Sequence, residues 1–157
     1  SEGGADAILV ETMYSIEEST LAIKAAKENT ELTVMATMTF DKGPRGFFTM
    51  MGTTPRQAAK DLVKSGADVV GANCGNGIET MLEIAKEMRS ATTAPILIHS
   101  NAGIPDIRQG QIVYPETPEF MAPYFKYMSD LGIDIVGGCC GTTPGHVRAM
   151  SEAIKSG

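Results

Sequence analysis

Apolar residues fall in five short runs along the chain: Ala7–Glu11, Leu32–Thr39, Asp68–Asn73, Pro95–Ser100 and Asp134–Gly138. They are rich in Val, Ile, Leu and Met, and three are nearly continuous, the pattern of parallel strands covered on both faces. Between and after them lie helix-period segments over Ile16–Lys27, Pro55–Ser65, Ile78–Ser90, Pro118–Leu131 and Pro144–Lys155. Thr54-Pro55, Thr117-Pro118 and Thr143-Pro144 each place a capping Thr before a Pro at the first helical position. In the second helix Ala58, Ala59, Leu62 and Val63 make the apolar stripe, with Lys60, Asp61 and Lys64 facing out.

One block recurs. Gly4-Ala5-Asp6-Ala7-Ile8, Gly66-Ala67-Asp68-Val69-Val70 and Gly132-Ile133-Asp134-Ile135-Val136 lie 62 and 66 residues apart, with one further strand between successive copies. The period is therefore two βα units. Gly-Thr-Thr-Pro also occurs twice, at Gly52–Pro55 and Gly141–Pro144. An α/β (β/α)8 TIM barrel with about 30 residues per unit accommodates this regularity. Five units are present where a barrel closes with eight, so residues 1–157 read as one partial barrel domain, its C-terminal part. Uncovered strand edges at either side would favour a homo-oligomer.

Composition is ordinary, at 43% hydrophobic and 20% charged. A net charge of −6 argues against a nucleic-acid partner. No apolar run approaches membrane-spanning length. The start, Ser1-Glu2-Gly3-Gly4, has no basic segment and no initiator Met, so it reads as processed or cut rather than as a signal peptide. Three cysteines fit reduced thiols in a cytoplasmic protein better than a disulfide framework.

Those three cysteines change the picture most. Cys74 ends one strand run, and Cys139-Cys140 end another. The C-terminal ends of strands carry the chemistry in such folds. Two adjacent residues of a regular strand face opposite ways, so Gly137-Gly138 and Gly141 are expected to bend the chain and turn both sulfurs inward. The two cysteine-bearing strands flank the Pro95–Ser100 strand, which puts all three thiols in one barrel layer. Three thiolates suit a soft metal, zinc first, with a fourth position open. The plainer readings are buried apolar cysteines or a redox disulfide.

Gly71-Ala72-Asn73-Cys74 and Gly137-Gly138-Cys139-Cys140-Gly141-Thr142-Thr143-Pro144, with this spacing, resemble the homocysteine S-methyltransferase family. Val10-Glu11-Thr12-Met13, His99-Ser100-Asn101-Ala102-Gly103 and Val113–Pro118 match as well, and the resemblance covers essentially the whole chain. It points most closely to the homocysteine-binding module of cobalamin-dependent methionine synthase. What it implies is zinc on Cys74, Cys139 and Cys140, homocysteine as substrate with its sulfur on the open position, and methionine as product. The methyl donor is left open among methylcobalamin on a partner corrinoid protein or domain, betaine and S-methylmethionine. Full barrels of the family begin with an Asp-Gly…Gly-Thr element that this chain lacks. The chain thus corresponds to units four to eight and is expected to bind zinc weakly and turn over poorly alone.

Glu11 resembles the family glutamate that holds the substrate amino group; its plain reading is a strand-end or capping carboxylate. The Asn101 carbonyl could fill the fourth zinc position when substrate is absent, or Asn101 is an ordinary turn residue. His99 reads as a satisfied core histidine and His146 as a surface residue. The entry Gly141-Thr142-Thr143 could bind an anion or simply be capped by Thr143. Two long loops, Phe40–Thr53 and Ala102–Glu116, follow strands and so crown the catalytic face. They are expected to shape the docking surface for the methyl donor, with Phe47 and Phe48 as alternative plugs and Arg108–Gln111 as a small hairpin turn. Met35, Met38, Met50 and Met51 read as core filler. Two rival readings of the whole are a non-catalytic fragment with an empty or oxidised site, and a different TIM barrel binding phosphate at its Gly-Thr-Thr-Pro turns.

Overall fold

The structure is a computed structural model that describes residues 1–155. Five parallel strands form one sheet in chain order: β1 (Ala7–Met13), β2 (Thr33–Met38), β5 (Val69–Asn73), β6 (Ile96–Ser100) and β9 (Ile135–Gly138). The helices α1 (Ile16–Asn29), α2 (Pro55–Lys64), α3 (Ile78–Arg89) and α4 (Pro118–Asp130) make the four crossovers, and α5 (Pro144–Lys155) follows the last strand. A parallel sheet whose spatial order equals its chain order is a sector of a (β/α)8 barrel, as the repeat implied. No helix among the described residues is long and apolar enough to cross a membrane.

The sheet has two unlike faces. Val34, Ala36, Met38, Val70, Ala72, Ile96 and Ile98 are fully buried and pack with Leu62, Ile84, Met88 and Phe125 from the helices. The opposite face, offset by one residue, carries polar or small groups near the strand ends: Thr37, Asn73, His99 and Gly137. β1 and β9 are the edge strands, and their side chains are only partly covered.

The recurring Asp has a defined task. Asp68 Oδ2 accepts the Val34 N–H (2.7 Å) and pairs with Lys27 of α1. Asp134 Oδ2 accepts the Ile96 N–H (2.8 Å) and stands 3.5 Å from Arg89 of α3. Each Asp thus pins the start of its own strand to the neighbouring strand and to a helix of the preceding two-unit block. Arg89 also donates to the carbonyls of Thr92, Ala94 and Gly132.

Several expectations change. β1 runs on to Met13, and its pairing with β2 shifts register between Val10 and Met13, where Thr12 takes φ +60°. Val63 lies outside the α2 stripe, 38% exposed, because it stands about 100° round the helix from Leu62. Met38 is core and Met35 half-buried, but Met50 and Met51 are exposed, since they lie in the long loop rather than in a strand. That loop contains a hairpin, β3 (Asp41–Gly43) and β4 (Gly46–Phe48), turned at Pro44-Arg45. Phe47 packs on the core, and Phe48, half-buried, has the Arg45 guanidinium 6.0 Å from its ring centre. The second loop contains β7 (Asp106–Arg108) and β8 (Gln111–Val113), turned at Gln109-Gly110 as expected.

Candidate metal centre

The thiols gather at the C-terminal end of the sheet. The three Sγ atoms lie within 4.8 Å of one another, and Cys74 Sγ and Cys140 Sγ are 3.8 Å apart. No disulfide joins them. A tetrahedral zinc with Zn–S bonds near 2.3 Å separates its sulfurs by about 3.8 Å, so this donor set fits such an ion with little movement. No other cluster of metal-binding type occurs among the described residues.

Three loops, stitched together by main-chain bonds, hold this geometry. Cys74 N donates to His99 O (3.1 Å), Cys139 N to Ser100 O (2.7 Å) and Ala102 N to Cys140 O (2.9 Å). The segment after β6 is therefore the spacer between the two cysteine loops. Cys74 itself turns the chain, at φ +62°. Cys139 and Cys140 lie beyond the last residue of β9, which frees them from strand alternation. Gly137 and Gly138 do not supply a left-handed bend. Each is needed for space, because a Cβ on Gly137 would overlap the His99 ring and one on Gly138 would overlap Thr142. Only Gly141 of the three has positive φ, +79°.

Asn101 is no plain turn residue. It is 4% exposed, and its Oδ1 accepts the Cys140 N–H at 3.1 Å, which sets it against the ligand loop with one lone pair engaged. Glu11 is exposed beside the β1 bulge and acts electrostatically on His99. His99 is not a satisfied core histidine. It is half-buried without a hydrogen bond to its ring among the described residues, and burial lowers its pKa, with Glu11 opposing. His146 is not on the surface. It is 6% exposed, its Nδ1 accepts from Thr143 N (3.1 Å), and its Nε2 meets Glu116 O at 2.9 Å. The ring, not Thr143 alone, thus caps the entry to α5, and it takes up an N–H that an anion would need.

Burial pushes the Cys139 thiol up to about 11, and Cys74 adds to the effect. A cation at the centre reverses that preference, because thiols give up their protons to bind soft metals.

Four contributors were not foreseen. Asn73, fully buried, faces Cys139. Tyr114 lies across Gly141, and its phenol is raised by burial and then by Cys140. Glu116 Oε2 accepts the Ile78 N–H (2.9 Å) at the start of α3, just beyond the Cys74 loop. Thr142 Oγ1 donates to Cys139 O (2.8 Å). Asn73 directly precedes Cys74, and Tyr114 and Glu116 sit in the Val113–Pro118 match, so the signal was adjacency to the motifs. The concave grooves lie elsewhere. One of about 290 Å³ between α1 and α2 and one of about 470 Å³ beside Arg89–Thr93 contain no thiol.

Fold and site together define a class: a βα-barrel sector with a three-thiol centre at the strand ends. A profile of the homocysteine S-methyltransferase family matches residues 1–154. The chain belongs to that family. It is 29% identical over 161 residues to the methionine synthase of Mycobacterium tuberculosis, covering 99% of this chain and 13% of that protein. It is 32% identical over 166 residues to betaine–homocysteine S-methyltransferase 1 of Rattus norvegicus, covering 95% of this chain and 40% of that one. The apo crystal structure of the homocysteine methyltransferase MmuM from Escherichia coli superposes with a TM-score of 0.74 at 20% identity, over 97% of this chain and 51% of that one. The chain thus spans about half or less of the length of these relatives.

Proposed function

We propose that this chain carries the zinc centre and part of the substrate pocket of a methyltransferase that methylates the homocysteine thiol to give methionine, with methylcobalamin on a partner corrinoid domain or protein as donor. The observation that carries the reading is the cluster of Cys74, Cys139 and Cys140 sulfurs, all within 4.8 Å of one another and one pair at 3.8 Å. Its support is membership of the family and the matches to methionine synthase and to the betaine enzyme. Zinc, when bound, supplies the positive charge that favours a thiolate over a thiol at neutral pH.

The chain's own residues do the rest. The three cysteines would hold the metal and leave a fourth position open, for which Asn101, set against the Cys140 loop by its Oδ1, would be the candidate ligand in the absence of substrate. Glu11, on the same open face, holds the substrate amino group. In the transfer a C–S bond forms on the homocysteine sulfur and the donor–methyl bond breaks, its electron pair leaving with the donor and the thiol proton passing to solvent. The hairpins β3–β4 and β7–β8 bring exposed Met50, Met51, Ile104, Ile107 and Ile112 to this side of the sheet. That apolar crown suits a large docking donor. A cytoplasmic location, where thiols stay reduced, agrees with this reading. Residues 1–157 are one partial barrel domain, and its five strands alone should hold zinc weakly and turn over poorly.

The test is zinc content of protein purified without chelator and equilibrated with added zinc, with thiols counted before and after metal removal. One zinc per chain, lost in Cys139→Ala together with two of three masked thiols becoming reactive, is expected. A chain that takes up no zinc when supplied with it, and keeps three freely reactive thiols, rejects the reading in favour of a non-catalytic fragment or a phosphate-binding barrel.

A further inference from the structure

We infer that Asn73 is a positioning residue of the thiol centre, joining the Cys139 sulfur to the bulge of β1 that presents Glu11; this rests on the zinc reading above. The side chain is fully buried. Its Oδ1 accepts from Thr12 N (2.9 Å) and Thr37 Oγ1 (2.7 Å). Its Nδ2 donates to Thr12 Oγ1 (2.8 Å) and faces Cys139 Sγ at 4.0 Å. The orientation of an amide is usually an assignment. Here chemistry decides it, because the Thr12 N–H can only donate and so requires the oxygen. A primary amide has two donor hydrogens and two acceptor lone pairs. All but one of these are taken by Thr12 and Thr37, and the remaining hydrogen points to sulfur.

The two ends of this side chain serve the two ends of one substrate. At one end, Asn73 grips Thr12 by both its N–H and its hydroxyl, and Thr12 has φ +60°, a conformation that a β-branched residue rarely adopts. That grip sets the direction of the adjoining Glu11. At the other end, an N–H aimed at Cys139 Sγ stabilises negative charge on a sulfur crowded by two others. One rigid amide therefore fixes the separation between the group that meets the substrate amine and the centre that meets its sulfur. Thr39 Oγ1 donates to Asn73 O (2.9 Å) and locks the backbone as well.

Cobalt(II) bound to the intact chain is the probe. Asn73→Asp keeps the acceptor for the Thr12 N–H and the Thr37 hydroxyl but removes the N–H directed at sulfur. We expect its thiolate-to-cobalt absorption band to shift, and metal release to a chromophoric chelator to speed up roughly 10- to 100-fold. Thr37→Val perturbs the same amide from the far side; it should lose stability yet keep the band and the release rate. A folded Asn73→Asp that matches wild type within about twofold in both readouts overturns the inference. Should wild type hold no metal, the zinc reading fails, and the side-chain 1H–15N resonances of Asn73 in the metal-free chain become the test. The same comparison decides if Asn73→Asp does not fold. They should move in Cys139→Ser and stay in Cys140→Ser; no response, or an equal one, overturns the inference.

Discussion

The ring of Tyr114 lies so close over Gly141 that a Cβ there would overlap its Cγ, Cδ1 and Cδ2. Gly141 also sits at φ +79°. The residue after the vicinal cysteines is thus fixed as glycine by two independent requirements, backbone conformation and ring contact. Gly141→Ala should destabilise the chain by about 2 kcal/mol, from left-handed strain and overpacking together. It should also weaken cobalt binding by displacing Cys140. Combining it with Tyr114→Ala removes the clash but not the strain, so denaturant melts should show only partial recovery.

Glu116 gives a pH signature. Burial raises its pKa above the usual carboxylate range, while the Ile78 N–H opposes. A raised acid means the folded state holds the proton more tightly than the unfolded one. Wild type therefore loses stability from this group as pH climbs from the unfolded value of 4.5 through the folded value, and the loss persists above it. Glu116→Gln keeps an acceptor for Ile78 N and removes the buried charge. Urea melts should find it more stable than wild type at pH 7, with the difference gone at pH 4.

Asp68 behaves the opposite way. Lys27 first, then the Val34 N–H, hold its carboxyl below the usual range. Its contribution is present above the unfolded value of 3.8 and is lost as pH falls through the folded value. Asp68→Asn retains an acceptor for Val34 N but not the ion pair, which is partly exposed. A loss of about 0.5 kcal/mol at pH 7 is expected, shrinking with added salt and vanishing once the pH falls below the lowered folded value.

Ile107 and Ile112 face each other across the β7–β8 hairpin, 75% and 70% exposed. Replacing both with Ser should change stability by no more than about 0.5 kcal/mol and leave zinc content unaltered. On the proposed function, any methyl transfer from a protein-bound corrinoid should slow severalfold, while transfer from a small donor stays the same. Equal rates with both donors would remove the hairpin from the docking surface.

Much of this was legible in the sequence for physical reasons. Buried strands such as Val69–Asn73 advertise themselves by unbroken apolar runs, and Thr-Pro caps mark helix starts within a residue or two. The thiol cluster was legible because cysteine is rare here and its spacing follows the strand order. What stayed hidden depended on contacts across the sheet. Asn73 reads as one more polar residue before a cysteine until Thr12 and Thr37, from two other strands, are beside it. His146 looked exposed from its place in a helix first turn, and only the carbonyl of Glu116 explains its burial. Met50 and Met51 misled because loop and core methionines look alike in composition. The roles of Gly137 and Gly138 were misjudged because the need for space cannot be told from the need for a bend without the neighbouring side chain.

The paired Asp contacts bear on how successive blocks are joined. Asp68 reaches back to β2 and α1, and Asp134 to β6 and α3, and in both cases the partners belong to the stretch of chain just completed. Each fastening therefore crosses the boundary between one block and the next, and holds the incoming strand in register with the stretch already laid down. Lys27 and Arg89 hold the corresponding place at the ends of α1 and α3, and either cation serves because the carboxylate asks only for a positive charge there.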